Sequence, residues 1–178
     1  MIKNSLVLFY SWSGNTRRAA ELIAELAGAD LQELRPEVPY PTDYAATVQR
    51  VREELQGKVY PPLRPLSADW TQYEAIFLGT PNWCGTMAPP VASFLDQAMP
   101  TDKSIIPFCT HGGSGGAKIA ADVARYCIGC DLLPLLSLHR GEEAQWELSV
   151  AEWLKRVERT IELLRREQQE GGGYPYGT

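Results

Sequence analysis

A buried strand that ends in a hydroxyl-rich turn and leads directly into a helix is the stretch that most constrains this chain. Residues 6–10 form the apolar run Leu-Val-Leu-Phe-Tyr, and residues 11–16 continue it as Ser-Trp-Ser-Gly-Asn-Thr. Apolar residues then recur at the spacing of one helix face, and Gly28 is placed to end that helix. The free N–H groups at such a helix start, with the positive end of its dipole, favour a bound anion. The stretch therefore predicts a phosphate site.

The side chains of this turn fit a phosphate as well as they fit an ordinary helix cap. Hydroxyls and an amide offer hydrogen bonds to phosphate oxygens, and the glycine lets the backbone approach closely. The same residue types are common caps, so the turn alone leaves both interpretations open. The chain lacks G-x-x-x-x-G-K-[ST], and no G-x-G-x-x-G follows the first strand. The candidate phosphate-binding residues are Ser11, Trp12, Ser13, Gly14, Asn15 and Thr16.

Length, charge and cysteine content restrict the classes of protein to which the chain can belong. Its 178 residues suit one domain with a substantial core, and its net charge of −5 argues against a nucleic-acid partner. No stretch approaches the length of a membrane span, and the first apolar run is too short for a signal peptide. We therefore expect a cytoplasmic monomer or homodimer without a membrane partner. Cys127 and Cys130 form C-x-x-C, but no second pair completes a zinc set, so we interpret them as core thiols.

Five apolar runs alternate with helical patterns, which predicts an α/β fold. The expected strands are residues 6–10, 30–34, 75–79, 105–109 and 132–138. This alternation is typical of a doubly wound, three-layer sandwich around a five-stranded parallel sheet. The family resemblance described below implies the strand order 2-1-3-4-5. We expect the domain to cover residues 1–168 and a tail rich in Gly, Tyr and Pro to cover residues 169–178.

Helices are predicted where apolar residues share a face. The last helix has the longest stripe, formed by Trp146, Val150, Trp153, Leu154, Val157, Ile161 and Leu164. A helix follows Pro89-Pro90, and another runs from Ile119 to Cys127. The crossover at residues 35–66 is proline-rich at both ends and carries a helix with Tyr44 on its apolar side.

The turn after the third strand is suited to stacking on a flat ring. It carries Trp83 between Pro81 and Gly85, and an indole covers a ring system with a geometry that Leu cannot offer. Its backbone groups can hydrogen-bond the polar edge of such a ring, and Gly85 makes a local rearrangement easy. A packed turn aromatic is the alternative interpretation of Trp83. The candidate residues are Thr80, Pro81, Asn82, Trp83, Cys84 and Gly85.

The turn after the fourth strand is rich in glycine, so its backbone can wrap closely around a ligand. Its amides can hydrogen-bond the polar side of a ring system. The helix start that follows can stabilise a negative charge on that ring. His111 is either a group that tunes the ligand or an exposed loop histidine. With the predicted strand order, this turn meets the other two where the winding of the sheet reverses. The candidate residues are Thr110, His111, Gly112, Gly113, Ser114 and Gly115.

Together these stretches resemble the flavodoxin family, in particular its short-chain bacterial members. Residues 11–16 are similar to the loop that holds the 5′-phosphate of FMN in that family. Residues 80–90, Thr-Pro-Asn-Trp-Cys-Gly-Thr-Met-Ala-Pro-Pro, and residues 110–115, Thr-His-Gly-Gly-Ser-Gly, look like its two flavin loops. Residues 40–44 in the crossover also resemble that group, so the likeness covers nearly the whole chain.

The resemblance implies non-covalently bound FMN, no metal, and electron transfer to redox partner proteins or to a small electron acceptor. The first turn would hold the phosphate of FMN, and the other two would hold its ring. An FMN-dependent NAD(P)H:quinone-type oxidoreductase is the alternative activity. Cys84 stands where many relatives of this kind carry a second aromatic residue, and the third turn lacks the Tyr that often covers the outer flavin face. Both departures leave more room for a substrate over the ring.

Two functions of other classes remain open from the sequence. Residues 112–116 fit G-x-S-x-G, the nucleophile turn of α/β-hydrolases, and Asp131 and His139 follow Ser114 in the order of that fold's triad. The chain is short for that fold, and the first two turns would then have no role. The other function is an interaction module on a flavodoxin-like scaffold without flavin, which Trp83 and the hydroxyl-rich turn disfavour.

Overall fold

The structure, a computed structural model, describes residues 2–171 and has the predicted α/β architecture. The strands are β1 (Ser5–Phe9), β2 (Asp30–Glu33), β3 (Ala75–Trp83), β4 (Thr86–Met87), β5 (Ser104–His111), β6 (Asp131–Leu132) and β7 (Leu136–His139). The helices are α1 (Asn15–Ala27), α2 (Tyr44–Gly57), α3 (Pro89–Ala98), α4 (Ala117–Ala124) and α5 (Trp146–Gly171). Short 3₁₀ turns at Trp70–Gln72 and Glu143–Gln145 precede β3 and α5. The predicted tail begins inside α5, and its residues 172–178 lie outside the described residues.

The parallel sheet has the predicted order of strand positions. The strands follow β2-β1-β3-β5, and the fifth position is filled by β6 and β7, which both pair with β5. All of these pairs are parallel. The flavodoxin-like, doubly wound topology is thus confirmed, with the winding reversed between β1 and β3. Residues 2–171 contain seven strands and not the predicted five.

A proline divides the predicted fifth strand and accounts for one of the two extra strands. Pro134 has no N–H to donate to a ladder, so β6 ends at Leu132 and β7 starts at Leu136. The carbonyl of Pro134 instead accepts a hydrogen bond from Trp153 Nε1 at 2.8 Å. The carbonyl at the break is therefore hydrogen-bonded, and the chain resumes pairing with β5 at Leu136.

The other extra strand comes from a small hairpin at the end of β3. The prediction that a loop begins at Gly79 is wrong, since β3 continues through Trp83. β3 continues because β5 is also longer than predicted, and the two strands pair as far as Thr110 of β5. β4 then folds back antiparallel onto the end of β3. The turn itself consists only of Cys84 and Gly85.

Alternate residues of β1 face two separate cores, which makes the sheet the middle of three layers. Val7 and Phe9 belong to a core with α1 and α5, whereas Leu6 and Leu8 belong to a core with α2, α3 and α4. The predicted stripe of α5 is confirmed in the first of these cores, where Trp153 is fully buried.

Two helices differ in detail from the predicted patterns. Tyr44 lies at the start of α2 and is 73% exposed, while Thr47 and Val51 are the buried residues of that helix. α4 ends at Ala124, so Cys127 lies beyond the helix, although it is buried as expected of a core thiol. Burial raises the pKa of the Cys127 thiol to about 12.

None of the helices in the described part of the chain combines the length and the apolar composition that crossing a membrane requires.

Candidate functional site

Three loops meet at the carboxyl edge of β1, β3 and β5, as predicted, and form what we call the site rim. The site rim comprises residues 11–16, 80–85 and 110–115. The buried hydroxyls of Thr16 and Thr110 lie 2.8 Å apart and join the first loop to the third. Asn82 Nδ2 donates to the carbonyl of Gly115 at 2.5 Å and joins the second loop to the third. These contacts bring the three candidate loops to one place.

The first loop leaves the start of α1 open. Gly14 is the N-cap residue with a φ of +93°, and no side chain caps the helix. A Cβ at Gly14 would meet nothing within 4 Å, so the space beside this position is free. Glycine is needed there because other residues rarely adopt this backbone conformation. Uncapped N–H groups and the helix dipole are the features that a phosphate site requires.

The polar side chains of the first loop differ in what they offer a ligand. Ser11 Oγ accepts a hydrogen bond from the N–H of Gly14 at 3.2 Å, and Ser13 Oγ accepts one from Asn15 Nδ2 at 3.1 Å. A hydroxyl that accepts keeps its own proton free to donate, so both serines can still bind an anion. Ser13 is exposed, whereas Thr16 is buried and holds the loops together.

Four aromatic rings cluster where the first and second loops meet. The ring centroid of Trp83 lies 5.4 Å from that of Tyr10, 5.1 Å from that of Tyr40 and 6.3 Å from that of Trp12, with steep interplanar angles. Trp12 Nε1 also donates to the carbonyl of Pro41 at 2.9 Å, which fixes its ring. Neither Tyr10 nor Tyr40 is among the residues that the sequence predicts for the site. Tyr10 could have been found from its position directly before the first turn. Tyr40 could have been found from the resemblance of residues 40–44 to the family.

Two predicted residues of the second loop have side chains that maintain the loop. The hydroxyl of Thr80 accepts from the N–H of Ala88 at 2.8 Å and so fixes the start of α3. Asn82 Oδ1 accepts from the N–H of Gly85 at 3.1 Å. The exposed turn residues, Cys84 and Gly85, both have positive φ, +53° and +83°, as in a type I′ turn. Their backbone is what the loop offers to a ligand.

The backbone of the third loop is accessible from outside the protein. Gly113 and Gly115 have φ values of +132° and +66°, and a Cβ on either would meet nothing within 4 Å. Gly112 and Ser114 are exposed. A ligand can therefore approach the amides of this loop closely.

His111 lies against a second histidine that the sequence analysis had assigned only to the hydrolase triad. The rings of His111 and His139 are 5.4 Å apart, because β7 pairs with β5 in a register that places the two residues side by side. His111 Nδ1 accepts from the N–H of Gly113 at 3.0 Å, so neutral His111 carries its proton on Nε2. His139 Nδ1 is buried without a hydrogen-bond partner within the described residues and lies 3.6 Å from a carboxylate oxygen of Glu142.

We expect the pKa of His111 to lie below the ordinary value of about 6.5. Burial lowers this pKa and His139 adds to the effect, while Glu142 opposes it. The unfolded chain then binds this proton at a higher pH than the folded chain. The lowered pKa of His111 therefore stabilises the folded chain, and this stabilisation is complete above about pH 6.5. It is lost as the pH falls from about 6.5 through the lowered pKa. NMR titration of the ring protons measures the midpoint, and a midpoint above the ordinary value would contradict this direction.

The Ser-Asp-His triad drawn from the sequence is wrong. Asp131 pairs with Ser104 at the start of β5, whereas His139 pairs with His111 at the end of that strand. The strand between those two positions is about 23 Å long at 3.3 Å per residue. Asp131 therefore lies at the edge of the sheet opposite to Ser114 and is too distant to orient His139.

The site rim fits the FMN that the family resemblance implies. An uncapped helix start and free serine hydroxyls suit a phosphate. Positive-φ glycines with open space beside them occur in all three loops. Trp83 and its neighbours form an aromatic wall beside the helix start, where a flat ring can pack.

Comparison with known proteins gives matches that cover most of the chain. A family model described as Flavodoxin matches residues 4–157. A solved flavoprotein in complex with FMN from Lactobacillus acidophilus NCFM is 28% identical, and the match covers 81% of this chain and 98% of that one with a TM-score of 0.68.

Curated relatives match a shorter part. An NAD(P)H dehydrogenase (quinone) from Gluconacetobacter diazotrophicus is 37% identical over 95 residues, which are 52% of this chain and 45% of that protein. A protein of the same name from Cupriavidus metallidurans is 34% identical over 98 residues, with the same shares of the two chains, 52% and 45%. The chain spans about half the length of the curated relatives it matches.

Proposed function

This chain belongs to the flavodoxin family, and we propose on that basis that it binds FMN at the site rim and uses it to transfer electrons. The family match spans residues 4–157, and the FMN complex of the Lactobacillus relative supports the choice of cofactor. The observation that carries the proposal is the uncapped start of α1, which the hydrogen bond between Thr16 and Thr110 joins to the third loop, while Asn82 joins the second loop to the third.

In this proposal the first loop holds the phosphate. The N–H groups of the first turn of α1 and the hydroxyls of Ser11 and Ser13 donate to its oxygens, and the helix dipole stabilises its charge. Residues 11–16 contain no Lys or Arg, so backbone and hydroxyl groups supply the binding. Arg17 follows directly, but its guanidinium is paired with Glu33 at 2.5 Å.

The second and third loops hold the ring. FMN, when bound, supplies reversible one- and two-electron chemistry. Trp83 covers one face of the ring, and its contacts with Tyr10 and Tyr40 keep the indole in place. The backbone groups of residues 84–85 and 110–115 that no side chain holds bind the polar edge, since the N–H of Gly85 donates to Asn82 and that of Gly113 donates to His111. Burial lowers the pKa of His111, which disfavours a full imidazolium charge beside the ring.

Electrons leave either to a redox partner protein or to a small acceptor. The names of the two curated relatives favour the second route, an NAD(P)H:quinone-type reaction. Steady-state assays with NADPH and a soluble quinone distinguish the routes, because a carrier shows negligible turnover without its protein partner. The cytoplasmic location and the monomeric or homodimeric state stay predictions.

Titration of the purified chain with FMN tests the proposal. We expect saturation at one FMN per chain, a bound yellow chromophore and quenched FMN fluorescence, since an indole beside the ring quenches it. Unchanged absorbance and fluorescence of FMN on addition of the protein would overturn the assignment of the cofactor.

The variant Trp83→Leu is expected to weaken FMN binding about tenfold, because aromatic stacking contributes about 0.5–1.5 kcal/mol beyond the buried area. Part of the FMN fluorescence should return. The matched control is Trp70→Leu, since Trp70 packs on Phe94 and lies near Lys103, away from the rim. Equal loss of affinity in the two variants would show that Trp83 acts only through the stability of the fold.

A further inference from the structure

A groove that shares Ser11 and Trp12 with the site rim runs from there along the edge of the sheet at β2. One cleft of about 540 Å³ lies beside Leu31 and Gln32, and another of about 340 Å³ opens next to the first loop. The residues that line both clefts are Arg17, Glu33, Arg35 and Arg64. The two clefts therefore adjoin one another, and we call them together the arginine groove.

The arginine groove has an excess of positive charge. Glu33 is only 12% exposed and pairs with Arg17 at 2.5 Å and with Arg35 at 3.1 Å. Arg64 is exposed and makes no ion pair with any described residue. Glu21 is the second carboxylate on the wall, so three guanidinium groups face two carboxylates on a chain of net charge −5. A local excess of this sign on an acidic protein favours an anion, and guanidinium groups bind phosphate oxygens in pairs.

The positions of the arginines are fixed by the backbone. The N–H of Arg64 donates to the carbonyl of Arg35 at 2.8 Å, within a short antiparallel contact between Pro36 and Leu63. Ser67 Oγ donates to Gln32 Oε1 at 2.5 Å and ties the crossover to β2. The two guanidinium groups thus extend from neighbouring backbone positions, where one phosphorylated ligand can reach both.

The other end of the arginine groove is aromatic and adjoins the site rim. Tyr10, Trp12 and Tyr40 line it, and each of these rings contacts Trp83. The two tyrosines are buried behind the wall, so Trp12 is the ring that this end offers to a ligand. Ser11 of the first loop lines it as well. One end of the groove therefore suits a flat ring next to the proposed flavin site, and the other end suits phosphates.

We propose that the arginine groove binds a phosphorylated nicotinamide dinucleotide and prefers NADP(H) to NAD(H). A ring of the dinucleotide lies against the partly exposed Trp12, and its phosphates lie at Arg35 and Arg64. The additional phosphate of NADP(H) meets Arg64, the guanidinium that has no carboxylate partner among the described residues. This inference rests on the proposed function, in which such a dinucleotide is the electron donor to FMN.

Calorimetric titration of the FMN-loaded full chain with NADP⁺ tests the proposal, since the oxidised dinucleotide binds without reducing the flavin. We expect NADP⁺ to bind at least tenfold more tightly than NAD⁺, and its affinity to fall as salt is added. Arg64→Ala should weaken NADP⁺ binding at least tenfold, as loss of a charge-assisted hydrogen bond does. The matched control, Arg52→Ala, removes the same charge from an exposed position of α2 outside the groove and should leave the affinity unchanged.

A variant of opposite sign strengthens the test. Glu33→Gln removes a negative charge and frees two guanidinium groups, so NADP⁺ should bind severalfold more tightly. Equal losses in Arg64→Ala and Arg52→Ala, or equal affinities for NADP⁺ and NAD⁺, would overturn the proposal. So would inorganic phosphate that binds as tightly as NADP⁺, because the aromatic end would then have no role.

FMN titration of the same samples separates the two proposals. A chain that binds FMN but not NADP⁺ overturns the groove assignment alone. A chain that binds NADP⁺ with the expected Arg64 dependence but does not bind FMN supports the groove as a binding site and overturns the proposed function.

Discussion

Replacing Ser13 with Asp is expected to weaken FMN binding about a hundredfold while riboflavin binding stays nearly unchanged. Ser13 lies directly before the N-cap of α1 and is exposed, so the new carboxylate would face the phosphate without disturbing the core. Two like charges about 5 Å apart repel by about 3 kcal/mol at an effective dielectric constant of about 20, which corresponds to about two orders of magnitude in affinity. Riboflavin lacks the phosphate and does not experience this repulsion. Fluorescence titrations with the two ligands measure the difference.

The matched control for this experiment is Ser13→Asn, which changes the size of the side chain by a similar amount and adds no charge. The stability of Ser13→Asp provides a second check. A carboxylate near a helix start interacts favourably with the dipole, so the free energy of unfolding without FMN should not decrease. A variant that loses FMN and riboflavin binding to the same extent would contradict a phosphate site at residues 11–16.

Gly79→Ala is expected to lower the free energy of unfolding by about 3 kcal/mol, because added atoms in a filled core force strain. A Cβ at Gly79 would come within 2.7 and 2.8 Å of two ring carbons of Phe108 and closer still to a third. Phe108 lies opposite Gly79 on the neighbouring strand and is fully buried, so its ring has no free space to move into. Chemical denaturation of the protein without FMN measures the change.

The control is Gly57→Ala at the end of α2, where a Cβ would meet only a methyl group of Val59 at an ordinary 3.7 Å. Alanine is the better helix residue, so this variant should be neutral or slightly more stable. Combining Gly79→Ala with Phe108→Leu should cost less than the sum of the two single changes, since the smaller side chain removes the clash. Additive costs would mean that the contact with Phe108 is not the cause.

The order of the sheet was predictable because its central strands are buried on both faces. Such strands need continuous apolar runs, and residues 6–10, 75–79 and 105–109 stand out for that reason. The end of β3 was not predictable, because Pro81 and Asn82 are typical turn residues, and only a long β5 beside them keeps the chain extended. The division of the fifth strand at Pro134 was hidden by the leucines around it.

The three loops of the candidate site were predictable because polar and glycine residues follow apolar strands at a fixed edge of the sheet. Contacts that depend on how segments distant in the chain align with each other were not predictable. Tyr40 reaches Trp83 from the crossover, and His139 reaches His111 through the pairing of β7 with β5. The hydrolase triad failed for the same reason, since chain order does not tell at which end of a strand Asp131 lies.

The hydrogen bonds that join the three loops decide how the cofactor is acquired. Thr16 meets Thr110 and Asn82 meets Gly115 through the protein's own groups, so these links between the loops do not depend on a ligand. Little chain entropy is then lost when FMN binds at the rim, and the nucleotide can exchange without unfolding of the three loops.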